Sequence, residues 1–320
     1  MTTAALDRRA LPPSPGRHGI ARRLSDAILR RRGLLLACLL IPPLLWLGII
    51  YLGALFTLLA HSLFSIDEFA GTIIYQPTLK TFGELLRPAN LDIVLRTVGL
   101  ATVVTLLAAV IGFPVAWYAA RHARGRAKAL FYLAVMMPLW SSYLVKLYAW
   151  KLLLAKEGAI GWVAARLGLG GVIDAWLSLP LVGGPSLSVS YTGMVLVFLY
   201  LWLPFMILPI QAALERVPRS MLEASSDLGA RPGQTFRTVV LPLAMPGVVA
   251  GAIFTFSLTL GDYIVPQVIG TSALVLGQAV YMQQGVAGNL PLAAAFAVVP
   301  IVVMVIFLTV AKRMGAFDAV

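Results

Sequence analysis

Gly33-Leu-Leu-Leu-Ala-Cys-Leu-Leu-Ile-Pro-Pro-Leu-Leu-Trp-Leu-Gly-Ile-Ile-Tyr-Leu-Gly-Ala-Leu-Phe-Thr-Leu-Leu-Ala60 runs for 28 residues without a charged side chain. About 20 apolar residues in a helix cross a bilayer, because no backbone polar group can be left unpaired in lipid. Five more stretches of that kind follow: Thr97–Ala120, Ala129–Leu154 (with Lys146 and Lys151 in its outer half), Tyr191–Leu214, Thr238–Gly261 and Pro291–Ala311. Hydrophobic residues make up 60% of the chain and charged ones 12%, against about 45–50% and about 25% in soluble proteins. That leaves too little polar surface for a water-soluble particle and excludes soluble-enzyme, disordered and collagen-like classes. The composition predicts an all-α polytopic membrane protein with six transmembrane helices.

With six crossings, the segments before the first span and after the second, fourth and sixth share one side. They hold 18 of the 25 lysines and arginines but six of the 13 acids, so the whole net charge of +12 lies there. Basic residues flanking spans stay cytoplasmic. Both termini are therefore expected inside. This gives an arginine-rich cytoplasmic tail (1–32), a six-span domain (33–311) with a cytoplasmic loop at 215–240, and a cytoplasmic C-terminal tail (312–320). Topology accounts for the pI of about 10.2, and no nucleic-acid partner is expected. The first span exceeds the roughly 7–15-residue core of a cleaved signal and reads as retained. The outer segments His61–Arg96 and Ala155–Ser190 are too long for bare connections. They read either as a docking face for an outer protein or as caps on the bundle.

Motifs of catalysis are missing. No lysine follows a glycine, so no G-x-x-x-x-G-K-[ST] phosphate loop exists. Histidines 18, 61 and 122 are scattered and Cys38 stands alone, so neither a metal site nor a disulfide framework is expected. Gly184-Pro-Ser-Leu-Ser lacks the second glycine of a nucleophile elbow. The expectation is a chain that is not an enzyme and holds no metal or cofactor of its own.

The inner segment from Glu215 to Val240 differs from the other loops. Pro218 suits a first helical turn. Met221, Leu222, Ala224, Ser225 and Leu228 fall at helical spacing. Gly229 is a natural stop, and Pro232 opens a second short helix. This predicts a helix–turn–helix on the inner surface. A short amphipathic helix without a lipid-sized apolar face suits a protein partner.

Within it, Glu223-Ala224-Ser225, three residues, Gly229, nine residues, then Val239-Val240-Leu241-Pro242 resembles the EAA loop of ABC importer permeases, E-A-A-x3-G-x9-I-x-L-P. Ser225 stands for the second alanine and Val239 for isoleucine. The resemblance implies a type I ABC importer permease fold in a bacterial inner membrane. It implies that this helix is the coupling helix, seated in a groove of a cytoplasmic ATPase subunit, with Glu223, Ala224, Ser225, Gly229, Leu241 and Pro242 as the coupling residues. It further implies a homodimeric ATPase that carries ATP and Mg, a second permease subunit forming a heterodimer, and an extracytoplasmic substrate-binding protein.

Other segments are similar to the first permease subunit of spermidine/putrescine systems. They are Leu95-Arg96-Thr97, Pro114-Val115-Ala116, Pro138-Leu139-Trp140-Ser141-Ser142-Tyr143-Leu144-Val145-Lys146-Leu147-Tyr148-Ala149-Trp150 and Gly261-Asp262-Tyr263-Ile264-Val265-Pro266. This likeness implies translocation of a small cationic solute, a polyamine such as spermidine or putrescine. The branch also serves opines, iron and phosphonates, which are the alternatives. From another class, an ion-coupled secondary transporter would favour inverted repeats and buried charges, and the sequence offers neither clearly.

A cation needs carboxylates or aromatic faces along its path. Asp262 is the one acid at the edge of a span, beside the helix breakers Gly261 and Pro266 and the aromatic Tyr263. It reads as a lining carboxylate or as a helix-end cap. Trp140, Tyr143, Leu147 and Trp150 fall at i, i+3, i+7 and i+10, on one helical face. They read as a cation–π stripe or as an interfacial aromatic belt. Lys146 and Lys151 nearby count against the stripe.

Overall fold

The computed structural model describes residues 32–67, 69–180 and 182–313. Most of the arginine-rich tail (1–31) and of the C-terminal tail (314–320) lie outside the described residues. The chain falls into two compact units, one ending at Leu58 and one starting at Leu59. The first holds most of helix α1 (Leu36–His61). Pro42 and Pro43 interrupt its hydrogen-bond ladder, and a π-helical stretch follows at Trp46–Leu52. Prolines lack the N–H that a regular ladder needs.

In the second unit the elements run as β1 (Ser65–Ile66), β2 (Ile73–Ile74), α2 (Lys80–Leu85), α3 (Pro88–Arg121), α4 (Arg126–Trp140), α5 (Tyr143–Leu154), α6 (Ala159–Arg166), α7 (Gly170–Leu177), α8 (Tyr191–Arg216), α9 (Arg219–Asp227), α10 (Pro232–Gly261), α11 (Ile264–Val268), α12 (Leu276–Gly285) and α13 (Leu290–Arg313). The long outer segments thus carry short elements of their own. Strands β1 and β2 form an antiparallel hairpin with Ser65 opposite Ile74. Asp67 turns its corner by accepting the N–H groups of Ala70 and Phe69, which hold its carboxyl below the usual range.

Helix α8 is the centre of this unit and packs against both α3 and α10. Its buried side includes Met194, Val197, Phe198, Leu201, Met206, Ile207, Ile210 and Leu214, a helical stripe filling two linked cores. In lipid such association depends on close approach through small residues. Gly247 of α10 shows how close: a Cβ there would sit 2.5 Å from the Pro209 carbonyl oxygen and 2.6 Å from the Ala213 Cβ of α8.

Two expectations need correction. The third span is not one straight helix. Among the described residues, five helices are long and apolar enough to cross a membrane, or up to six if the bent pair, in which Arg126–Trp140 meets Tyr143–Arg166 at 95°, is one span. Pro138 removes one ladder donor. Ser141 and Ser142 are extended (ψ 149° and 133°). The orphaned Pro138 carbonyl then accepts the Lys146 Nζ at 2.7 Å and the Ser141 Oγ at 3.0 Å. A helix end inside a membrane protein needs such partners, so Lys146 is a cap for the bend. Nor is the helix from Pro232 separate from the fifth span. It continues into it through a π-helical stretch at Phe236–Val240, where Pro242 and Pro246 withhold N–H groups from the preceding turns.

Candidate coupling loop and translocation clefts

Helix α9 starts directly after Pro218 and ends at a turn where Gly229 has φ +79°. L-residues other than Gly pay for that left-handed backbone. The turn is closed by N–H bonds from Leu228 to the Ala224 carbonyl, from Gly229 to Ser226 and from Ala230 to Ser225. Leu222 and Ser225 face inward. Leu222 packs on the core beside Ile210 and Leu214, and the Ser225 hydroxyl lies 2.9 Å from that of Thr235. Glu223 and Ala224 face outward. So do Met221 and Leu228, the latter 88% exposed. A short polar helix that exposes two large apolar side chains presents a surface suited to a protein partner. Leu241 is half-buried and Pro242 exposed at the start of the regular part of α10.

Just before α9, Glu215 and Val217 are gripped from two helices. Glu215 Oε1 receives Lys128 Nζ at 2.8 Å, Gln211 Nε2 at 3.0 Å and the Tyr132 hydroxyl at 3.2 Å. Arg121, at the end of α3, lies over the Trp117 ring and donates to the Val217 carbonyl at 3.1 Å. Lys128 and Glu215 are 36% and 31% exposed, and ion pairs of that kind contribute about 0–1 kcal/mol to stability. The sequence shows these residues only as charges in a topology count.

At the other end of α10, Asp262 breaks the chain between α10 and α11. Its Oδ1 accepts the N–H groups of Ile264 and Val265 at 2.8 and 2.9 Å. Its Oδ2 accepts the hydroxyl of Tyr143, the first residue of α5. Asp262 thus caps α11 and also lines a cleft. That cleft, of about 360 Å³, is walled by Trp202, Ser257, Leu258, Gly261, Tyr263 and Ile264 besides Asp262. A second, of about 320 Å³, adjoins it at Gly261 and Tyr263 and includes Tyr281 and Gln284. Tyr263 stacks on Tyr281 with ring centroids 5.3 Å apart, and Tyr143 on Trp202 at 6.4 Å. Trp202 and Tyr281 carry no sequence signal that marks them as lining residues.

The four-residue stripe does not exist as one face. The bend puts Trp140 on α4, 75% exposed, while Tyr143, Leu147 and Trp150 are on α5. Trp150 turns to Tyr200, 5.3 Å away, against the core. Neither Trp140 nor Trp150 lines either cleft.

Comparison with known proteins bears on this arrangement. Residues 112–316 match the family model "Binding-protein-dependent transport system inner membrane component". The chain is 54% identical over 306 residues to the inner membrane ABC transporter permease protein YdcU of Escherichia coli K12, covering 96% of this chain and 97% of that one. It is 28% identical over 237 residues to the spermidine/putrescine transport system permease protein PotB of the same organism, covering 74% and 82%. Among solved structures, a chain of a bacterial alginate ABC transporter, in complex with an alginate pentasaccharide-bound periplasmic protein, superposes with a TM-score of 0.69. The two are 14% identical, with 93% of this chain and 98% of that chain covered.

Proposed function

The chain belongs to the binding-protein-dependent transport inner membrane component family; it is a multi-pass inner membrane permease subunit of an ABC importer and not an enzyme, and we propose that the solute it passes is a small cation of the polyamine class. Membership sets aside the ion-coupled secondary transporter. The observation that supports the cation is the Asp262 cleft, in which a carboxylate bound by the Tyr143 hydroxyl lies beside Trp202 and Tyr263, with Tyr281 of the adjoining cleft stacked on Tyr263. Aromatic faces and a carboxylate replace the hydration of an ammonium group. The likeness to PotB points the same way.

In this reading both termini are cytoplasmic, since only six crossings gather the surplus of basic residues on one side. Helix α9 docks on one subunit of a homodimeric ATPase that holds the ATP and Mg. Glu223, Ala224, Ser225 and Gly229 shape its docking surface, and Leu241 and Pro242 its continuation into α10. A second permease subunit completes a heterodimer, and a binding protein delivers the solute from outside. Substrate contacts come from Asp262, Tyr263 and Tyr143, with Trp202 and Tyr281 added and Trp140 and Trp150 left out.

The test is uptake by the complete transporter in proteoliposomes, with ATP inside and labelled spermidine or putrescine delivered by the binding protein. ATP-dependent accumulation of one of them is expected. Accumulation of an opine, iron or a phosphonate instead, with no polyamine uptake, overturns the cation.

A further inference from the structure

The coupling loop and the Asp262 cleft are separated by the whole length of α10, yet one bent pair of helices is fastened at both places. At the inner end, Lys128 and Tyr132, one turn apart on α4, both bind Glu215. At the bend, Lys146 of α5 holds the last turn of α4 through the Pro138 carbonyl. Also at the bend, Tyr143, the first residue of α5, binds Asp262 at the outer end of α10. Each joint is a polar bond between different elements. Packing holds α4 less firmly, since none of its 15 residues is fully buried and its inward face, with Phe131 and Val135, is only partly buried against the core. A helix whose inward face is only half-buried depends on its joints for its setting, and elements with discrete polar contacts and little buried area are the ones that move.

We propose that the bent third span is the lever that carries movement of the coupling loop to the Asp262 cleft, and that Glu215 is the positioning residue through which the lever is driven. The proposal rests on the reading of α9 as the ATPase-docking helix. Val217 and Pro218 are the only residues between Arg216, where α8 ends, and α9, so a shift of α9 reaches Glu215 directly. Arg121, bound to the Val217 carbonyl, keeps α3 as the fixed side of the joint. Glu215 then pulls α4, Lys146 carries the pull across the bend, and Tyr143 changes the setting of Asp262 and hence of the cleft wall.

The joint also predicts how to repair it. Gln211 is buried, and its Oε1 has no partner. After exchange of the two charges, that oxygen can accept from a lysine at position 215. The experiment uses the complete transporter in nanodiscs, with Cys38 changed to Ser and S257C introduced in the Asp262 cleft. The rate at which S257C reacts with a small thiol reagent is measured without nucleotide and after trapping with ATP and vanadate, alongside ATP hydrolysis. Trapping should change the parent rate at least threefold. K128E and E215K should each lose most of that change while still hydrolysing ATP, and K128E/E215K should regain at least half. Should a single charge reversal prevent accumulation, E215Q serves, since it keeps an acceptor for Tyr132 but not the charge; it should lose part of the response. A full response in the single variants, or no recovery in the exchanged pair at normal abundance, overturns the lever. A parent whose S257C ignores nucleotide overturns the docking reading as well, which separates the two failures.

Discussion

Two residues carry most of the functional argument, and each yields an expected outcome. Gly229 sits at φ +79° with open space around a would-be Cβ, so Gly229→Ala meets no clash and only the backbone cost, about 1–2 kcal/mol. The turn should loosen without loss of the protein from the membrane. ATPase stimulation by the loaded binding protein should fall, and a normal value at normal abundance counts against the turn. Asp262 separates two roles by substitution. Asp262→Asn keeps an acceptor for the N–H groups of Ile264 and Val265, as a good cap does, but removes the charge. Unpairing a buried charge costs about 2–5 kcal/mol, so uptake should fall at least tenfold with protein level unchanged; a rate within twofold of the parent leaves Asp262 as a cap only. Asp262→Ala should also lower stability by about 1 kcal/mol, the usual worth of a lost cap. The acid, the glycine and the spacing of the EAA loop are legible in the sequence because each depends on a local pattern. The bond between Tyr143 and Asp262 joins residues 119 apart, and no local pattern encodes it.

At the scale of the element, the sequence places every span, but it misreads the third. A hydrophobic run reports burial in lipid, not direction, and Pro138 followed by Ser141-Ser142 is compatible with a mild kink as well as with a 95° bend. What decides is the partner across the bend, Lys146, whose positive charge the sequence presents as an obstacle. Lys146→Met should therefore lower the melting temperature and the amount of the detergent-solubilised protein, while Lys151→Met, whose side chain is exposed beyond the bend, should not. Equal effects of the two would remove the capping role. Helix contacts give a second outcome. At Gly247 an added Cβ meets backbone at 2.5 Å, whereas at Gly99 it meets nothing within 4 Å. Gly247→Ala should cost roughly 1–3 kcal/mol through overpacking, and Gly99→Ala should be neutral or slightly stabilising; thermal unfolding of the two variants compares them directly.

For the whole molecule, the expectation is an odd–even alternation of sides. In a Cys38→Ser background, a cysteine in place of Glu157 should react with a membrane-impermeant thiol reagent added outside, and one in place of Arg124 should react only after the membrane is opened. Both positions are exposed. Reaction of both only after the membrane is opened would mean that the bent pair turns back without crossing, and a reversed pattern would invert the whole orientation. The charge distribution argues for crossing, because otherwise Arg216, Arg219, Arg231 and Arg237 would face outward. The contact of Gly247 with α8 has a further consequence, which is historical. Of the three atoms that crowd a Cβ at 247, only the Ala213 Cβ belongs to a replaceable side chain; the Pro209 oxygen and the Ile210 Cα at 3.0 Å are main chain. A change at 213 therefore cannot open room at 247. As lineages diverge, position 247 is therefore not free to drift, and an ancestor reconstructed for this subunit is expected to hold glycine there already.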